Sequence, residues 1–449
     1  MFRKIFSRSV HCLSCGSKFH RIQYGPGFQN PTKNPSYPSF AEAQEKSFQE
    51  LLSNLSEEQK RAVGFKNLDV PIHEVPARIL ERDFKKRSKQ EREFLQCRWC
   101  IDAMQGREYP VVVPKVDVIG EIPNGYQIVH VIDAMDFPMT VCKDIVLKYG
   151  PRVVFAITRC DLLADHHNKL GKLKNYMMEE VFDKMKVDPR NVHLLSAKRN
   201  WNLEKFAECL KDGNALVGKT GSGKTTLAVA LSGSILPYPT WELPFTTQRA
   251  DEYKTKPEFR SKLILDLPSL PESTNKGKGI YGLIRPKFMR KIVAGQPMTK
   301  LGNKYSRPSI VAKPGQSISI GGMVGFELLK AKPGQAIHVW PIIGGFSAIL
   351  GRKVSSIEKI YQLNTSPTPQ HDQWNILDSP KESEPLQHQM SFQIQRNQVG
   401  QSVVVRGLGM LQAKLYGNMS EPYNINVHTL PGVELGLRTE LLEWFRLKN

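Results

Sequence analysis

Acidic residues are missing from two long stretches of this chain: none precedes Glu42, and none occurs from Asn275 through Gly325. Cysteine is scarce, with seven in 449 residues, and four of the seven fall in two C-x-x-C pairs. That usage argues against an extracellular disulfide framework. No apolar run approaches the roughly 18 residues of a membrane-spanning helix, so the sequence reads as soluble or peripheral. There is no internal repeat and no RNA-recognition-motif signature. What the chain has in excess is positive charge, 63 basic against 43 acidic residues for a net +20. This is more than solubility requires and favours a polyanionic partner. A hydrophobic content of 40% is ordinary for a globular chain, and the length allows two or three domains.

One motif is complete. Gly218, Lys219, Thr220, Gly221, Ser222, Gly223, Lys224 and Thr225 spell G-x-x-x-x-G-K-[ST], after the apolar run Ala215-Leu216-Val217 and before Thr226-Leu227-Ala228-Val229-Ala230-Leu231. This is the strand, loop and helix context that a phosphate-binding loop requires. Successive backbone N–H groups and the helix N-terminus can wrap phosphates there, with Thr226 closing the candidate binding set. Lys224 would reach the β- and γ-phosphates and the Thr225 hydroxyl would ligate Mg²⁺; an ordinary Gly-rich turn is the alternative. Downstream, Lys262 to Ser269 reads as a buried strand carrying Asp266, the candidate second Mg²⁺-associated group. Between them, Thr246 and Thr247 of Pro244-Phe245-Thr246-Thr247 offer hydroxyls for a segment that senses γ-phosphate and Mg²⁺. Lys224, Thr225, Thr247 and Asp266 form the candidate catalytic set.

Base-reading motifs occur upstream. The apolar run Val153 to Ile157 ends in Thr158-Arg159-Cys160-Asp161, which resembles the N-K-x-D guanine-specificity motif, and Val192 to Leu195 ends in Ser196-Ala197-Lys198, the S-A-K form of the loop that contacts guanine. In this resemblance Asp161 accepts from guanine N1 and N2, Arg159 packs along the base, and Ala197 offers its N–H to O6. A P-loop ATPase with accidental base motifs remains an alternative. The order of motifs is a circular permutation of the small-GTPase order.

With its cysteine pairs and its C-terminal half, the chain resembles the YqeH-like circularly permuted GTPases, of the TRAFAC class and YlqF/YawG type. Asp133-Ala134-Met135-Asp136-Phe137 matches that family's D-x-x-D-F segment, and Pro314-Gly315-Gln316 through Gly321-Gly322 matches P-G-Q-x-x-x-x-G-G. The resemblance implies an α/β fold: a circularly permuted P-loop GTPase domain with a Rossmann-like sheet, an N-terminal Cys₄ zinc element and a β-rich α+β C-terminal domain. It implies GTP and Mg²⁺ as cofactors. It also implies a role in assembling the small subunit of the mitochondrial ribosome, with its rRNA and precursors as partners in the matrix. A nucleotide-binding scaffold with little turnover, acting among inner-membrane proteins or in lipid homeostasis, is the alternative. Several positions depart from the family: Thr158 for Asn, Arg159 for Lys, Ser269 for the Gly of D-x-P-G, Phe245 for a Gly of P-G-T-T, and Gly221 for the P-loop Asn of potassium-dependent relatives. Leu270 takes the place of the water-orienting Gln of Ras-like enzymes, which predicts slow hydrolysis, since a Leu side chain forms no hydrogen bond.

Four thiolates from Cys12, Cys15, Cys97 and Cys100 suit a structural Zn²⁺ site, with unpaired structural cysteines as the alternative. Residues 1–10, basic and Ser-containing, read as a mitochondrial targeting segment or a simple basic tail. Residues 11–108 then hold the zinc element with a helical insertion (Glu42 to Val63) and a charge-dense stretch (Asp83 to Glu93). Residues 109–275 form the G domain, and 276–449 a basic domain that contacts RNA or a partner. Its acid-free start carries Lys276, Lys278, Arg285, Lys287, Arg290, Lys291, Lys300, Lys304, Arg307 and Lys313, where RNA contact competes with a solvated basic face. Strand patterns occur at Ser309 to Ala312, Ser317 to Ile320, Ala336 to Ile342 and Gln401 to Val405, and Leu437 to Leu447 reads as a final amphipathic helix.

Overall fold

The computed structural model describes Cys12, Cys15, Ser17 and residues 26–27, 97–104, 111–233, 243–286, 288–289, 292, 310–328, 334–344, 351–365, 377–378, 384–394, 401–416, 423–441 and 444. The targeting segment, the 42–63 helix, the 83–93 stretch and Lys287, Arg290, Lys291, Lys300, Lys304 and Arg307 lie outside the described residues. Two compact units are distinguished, Met1–Leu13 with Lys18–Ile101 and Ser14–Ser17 with Asp102–Asn449. Helix α1 (Arg98–Met104) holds Cys100 and the fully buried Trp99.

In the larger unit the chain runs β1 (Gln127–Asp133), α2 (Lys143–Tyr149), β2 (Val153–Thr158), α3 (Leu170–Met177), β3 (Val192–Leu194), α4 (Leu203–Cys209), β4 (Gly213–Val217), α5 (Lys224–Ser232), β5 (Asp251–Lys254) and β6 (Leu263–Asp266). The six strands form one sheet in the order β3-β2-β1-β4-β6-β5, parallel except where β5 pairs with β6. Central parallel strands are covered on both faces and therefore read as unbroken apolar runs, as β2 does with every residue buried. Alternation sends Ile128 and Ile132 to one face, with Phe155, Tyr176 and Phe182, and Val129 and Val131 to the other, with Phe206, Leu227 and Leu231. Each such side chain contributes ~1.5–3 kcal/mol of burial, and a one-residue slip would exchange the two faces, so the register is fixed twice over. Parallel strands also bring their C-terminal ends to one edge, where the loops of an open α/β sheet bind ligands.

The C-terminal part is antiparallel. Its strands are β7 (Ile310–Ala312), β8 (Ser317–Ile320), β9 (Val324–Leu328), β10 (Ala336–Gly344), β11 (Gly351–Val354), β12 (Gln387–Ile394), β13 (Gln401–Val405), β14 (Gly409–Tyr416), β15 (Tyr423–Thr429) and β16 (Leu435–Thr439). They form two five-stranded sheets, β16-β13-β14-β10-β7 and β11-β8-β9-β15-β12. Helix α6 (Ile357–Thr365) lays Ile357, Ile360 and Asn364 into the second. Val404 and Met410 join the core on the Ile128 face of the G sheet, together with Leu441 and Trp444.

The four expected strands are β7, β8, β10 and β13, two of them with the same ends. The start of the final helix is corrected: Leu435–Thr439 is an edge strand, with Leu437 opposite Val403, so the helix expected from Leu437 cannot begin before Glu440. Spacing of Leu residues by four is compatible with a helix, but the open ladder of β13 offers those residues a full set of backbone partners, and tertiary pairing overrides the local pattern. Helical backbone occurs only beyond it, at Leu441 and Trp444 among the described residues.

Candidate nucleotide-binding site

Strand β4 ends at Val217, and the loop from Gly218 turns into α5 with Gly223 as its N-cap, φ 85°. Gly218 is required by close approach, since a Cβ there would lie 2.4 Å from the Val131 carbonyl oxygen of the neighbouring strand. The Lys224 ammonium folds back over the loop, donating to the Gly218 and Lys219 carbonyls (3.1 and 3.2 Å) and to Ser269 Oγ (3.0 Å). Burial pulls its pKa down to about 8, with Asp266 acting against the shift. Leu270 N–H bonds the Gly218 carbonyl at 3.1 Å, so the D-x-P-S-L segment is stitched to the loop it would sense.

Thr225, Thr247 and Asp266, more than forty residues apart at the extremes, meet. Thr225 Oγ1 donates to Asp266 Oδ2 at 2.6 Å and lies 3.1 Å from Thr247 Oγ1. Asp266 is fully buried, which pushes its pKa up to about 7 against the pull of Lys224 and Thr225, and its Oδ1 has no hydrogen-bond partner among the described residues. Two hydroxyls and a carboxylate with an unsatisfied buried oxygen are the hard oxygen donors that suit Mg²⁺. The neighbouring Thr246 is turned away, its hydroxyl donating to the Leu243 carbonyl at 3.3 Å. Phe245 has a left-handed backbone, φ 55°, with its N–H on Thr220 Oγ1 at 3.0 Å and its ring buried.

The residues expected to face a base lie just beyond β2 and β3. Asp161 accepts from Ser196 Oγ at 2.7 Å, and Ser196 Oγ accepts from the Arg199 N–H at 3.1 Å. Ala197 is half-buried beside it and Lys198 is exposed. Thr158 donates to the Ser222 carbonyl of the phosphate loop at 2.6 Å and so ties the two motifs together. Arg159 pairs with Asp133 through both its Nε (2.9 Å) and Nη2 and reaches the Gly221 carbonyl at 3.5 Å, and burial lowers its pKa to about 10. The sequence reading missed Glu272 and Arg406, which also converge on this loop. An arginine directly after the apolar run Val403-Val404-Val405 was a signal that a charge is carried into the interior, but nothing in its spacing named a partner.

The four cysteines are buried, and their sulfurs all lie within 4.8 Å of one another. Cys12 and Cys100 Sγ are 3.8 Å apart, and the Cys97 N–H points at Cys12 Sγ at 3.2 Å. A tetrahedral Zn²⁺ with bonds of about 2.3 Å needs sulfur separations of about 3.8 Å, so the donor set fits that ion. No helix among the described residues is long and apolar enough to cross a membrane.

Residues 214–289 match the protein family described as 50S ribosome-binding GTPase. Similar proteins include two named genetic interactor of prohibitins 3, mitochondrial. The one from Debaryomyces hansenii is 24% identical over 377 residues, covering 71% of this chain and 61% of that protein. The one from Clavispora lusitaniae is 27% identical over 301 residues, covering 56% and 48%. The chain thus spans less than two thirds of either relative's length. The GTPase match and these relatives support a YqeH-like GTPase.

Proposed function

We propose that this protein is a circularly permuted GTPase of the mitochondrial matrix that acts in assembly of the small ribosomal subunit and its rRNA. The observation that carries the nucleotide reading is the convergence of Lys224, Thr225, Thr247 and Asp266 at the same sheet edge as Asp161 and Ser196. The strand order supports permutation: β4, which bears the phosphate loop, sits between β1 and β6 although β1, β2 and β3 precede it in the chain. Lys224 would hold the β- and γ-phosphates. Thr225, Thr247 and Asp266 would hold Mg²⁺, which neutralises phosphate charge when bound. Asp161 would read guanine, with Arg159 flanking the base and Ala197 offering its N–H.

Hydrolysis is expected to be slow. Leu270 supplies no hydrogen bond to a water, and Ser269 occupies the ammonium of Lys224. The missing group would come from a partner. The acid-free tract from Asn275 through Gly325 supports contact with rRNA phosphates, which would fix position rather than read sequence. The mitochondrial placement draws on the names of the relatives and on the basic residues 1–10, the zinc site on the cysteine cluster, and the boundaries 11–108, 109–275 and 276–449 on the motifs. A scaffold with little turnover near prohibitins draws on the relatives' name and on Leu270.

Fluorescent-nucleotide titration of the full chain tests the guanine reading. Mg²⁺-dependent binding of GTP and GDP, resisted by excess ATP and lost in Lys224→Ala, is expected. Equal competition by ATP would sink it.

A further inference from the structure

Arg406 follows β13 in the C-terminal sheets, yet its guanidinium ends in the nucleotide site. It is 3% exposed and pairs through Nη1 with Asp136 of the D-x-x-D-F segment. Its Nη2 donates to the Thr220 carbonyl of the phosphate loop and to Glu272 Oε1, both at 2.8 Å. The next residue repeats the attachment, with the Gly407 N–H on Asp136 Oδ2 at 2.9 Å. Glu272, six residues past Asp266, lies 3.3 Å from Lys219 of the loop. Tyr281 fills the space between the two backbones: a Cβ on Gly221 would meet its hydroxyl at 3.2 Å and one on Gly407 at 2.9 Å, and Gly407 has φ 84°. One buried cation therefore joins the phosphate loop, the segment after Asp266, the D-x-x-D-F turn and the C-terminal sheets.

We propose that Arg406 is a positioning residue of the phosphate loop, supplied by the C-terminal sheets, and that it makes nucleotide occupancy and the packing of residues 401–410 depend on each other. In a trans peptide the carbonyl and the following N–H point in opposite directions, so holding the Thr220 carbonyl aims the Gly221 N–H into the phosphate cradle. Arg159 makes the equivalent contact one residue on, at the Gly221 carbonyl. A buried guanidinium tolerates the loss of a carboxylate poorly, so any movement of one of its partners carries a cost. When the segment carrying Glu272 shifts with nucleotide state, Arg406 must shift or lose a partner. Linkage then requires that a partner whose affinity for the C-terminal sheets changes with nucleotide shifts nucleotide affinity by the same factor.

The inference rests on the guanine-nucleotide reading, and two measurements separate them. In the first, Arg406→Met is compared with the triple variant Arg406→Met, Asp136→Asn, Glu272→Gln, which removes the buried charges together. The triple variant is expected to regain a melting temperature near that of the unsubstituted chain, yet to bind fluorescent GDP at least tenfold more weakly. A folded triple variant that binds within twofold of the unsubstituted chain would overturn the proposal. In the second, hydrogen exchange of the unsubstituted chain is expected to slow in peptides covering 401–410 when GDP is added. Unchanged exchange there, with binding established by Lys224→Ala as control, would also overturn it. If the unsubstituted chain fails to bind guanine nucleotides at all, the guanine reading falls first.

Discussion

Replacing Asp161 by Asn should invert base preference, and the hydrogen-bond chain beneath it gives the direction. Ser196 Oγ accepts the Arg199 N–H, so its own hydrogen is free to donate, and it donates to Asp161 Oδ1 at 2.7 Å. In Asp161→Asn that hydroxyl still needs an acceptor, which holds the amide oxygen against Ser196 and turns the NH₂ toward the base. Guanine would lose two hydrogen bonds to a carboxylate and meet a donor with its own donors. At about 1.5–3 kcal/mol per charged hydrogen bond the loss is roughly 3–6 kcal/mol, or about 10² to 10⁴ in affinity. Xanthine presents an acceptor at the 2-position and should gain. Titration of the variant with fluorescent GDP and XDP, beside a melting curve that establishes folding, measures both. GDP affinity within threefold of the unsubstituted chain in a folded variant would remove Asp161 from the base site.

Three further outcomes are expected. His130 accepts the Cys142 N–H at Nε2 (2.9 Å) and faces the Val217 carbonyl with Nδ1, so it is held neutral, and burial lowers its pKa to about 4. Its contribution is complete above the unfolded value of about 6.5 and is lost as pH falls toward 4, to a limit of about 3 kcal/mol; the gap in denaturant midpoint between the unsubstituted chain and His130→Gln should close over that range. Phe245→Gly relieves a left-handed backbone worth about 1–2 kcal/mol but forfeits a buried ring worth about 3–5 kcal/mol, so its melting temperature should fall, and a rise would contradict the packing account. Stoichiometric zinc should be found in the purified chain by elemental analysis and be lost in Cys97→Ser with reduced stability; metal-free protein of unchanged stability would return the four cysteines to a purely structural role.

Much of this site was legible because phosphate-loop chemistry is local. Gly218 to Thr225 specify a strand-to-helix turn by themselves, and Thr158 to Asp161 and Ser196 to Lys198 each sit where an apolar run stops. The strands β8 and β13 were legible to the residue because Ser317-Ile318-Ser319-Ile320 alternates and Val403-Val404-Val405 is β-branched, each lying next to turn residues. Contacts made across long sequence separations were not legible. Nothing in the order of residues ties Arg406 to Thr220, 186 positions away, or Arg438 to the Phe137 carbonyl, 301 positions away. The helix start at Leu437 differs because a Leu spacing of four satisfies a helix face as well as it satisfies an edge strand that finds β13. Thr158 shows a further limit, since it departs from the motif's Asn, and its bond to the phosphate loop could not be read from that departure.

Crosslinking with RNA sequencing tests most directly whether this protein is a guanine-nucleotide switch on small-subunit precursors. A tagged full-length chain would be recovered from mitochondria with hydrolysis blocked, beside Lys224→Ala. The account predicts enrichment of immature small-subunit rRNA with the first and its loss with the second. Recovery of inner-membrane proteins without RNA, or equal RNA recovery by both, would contradict it.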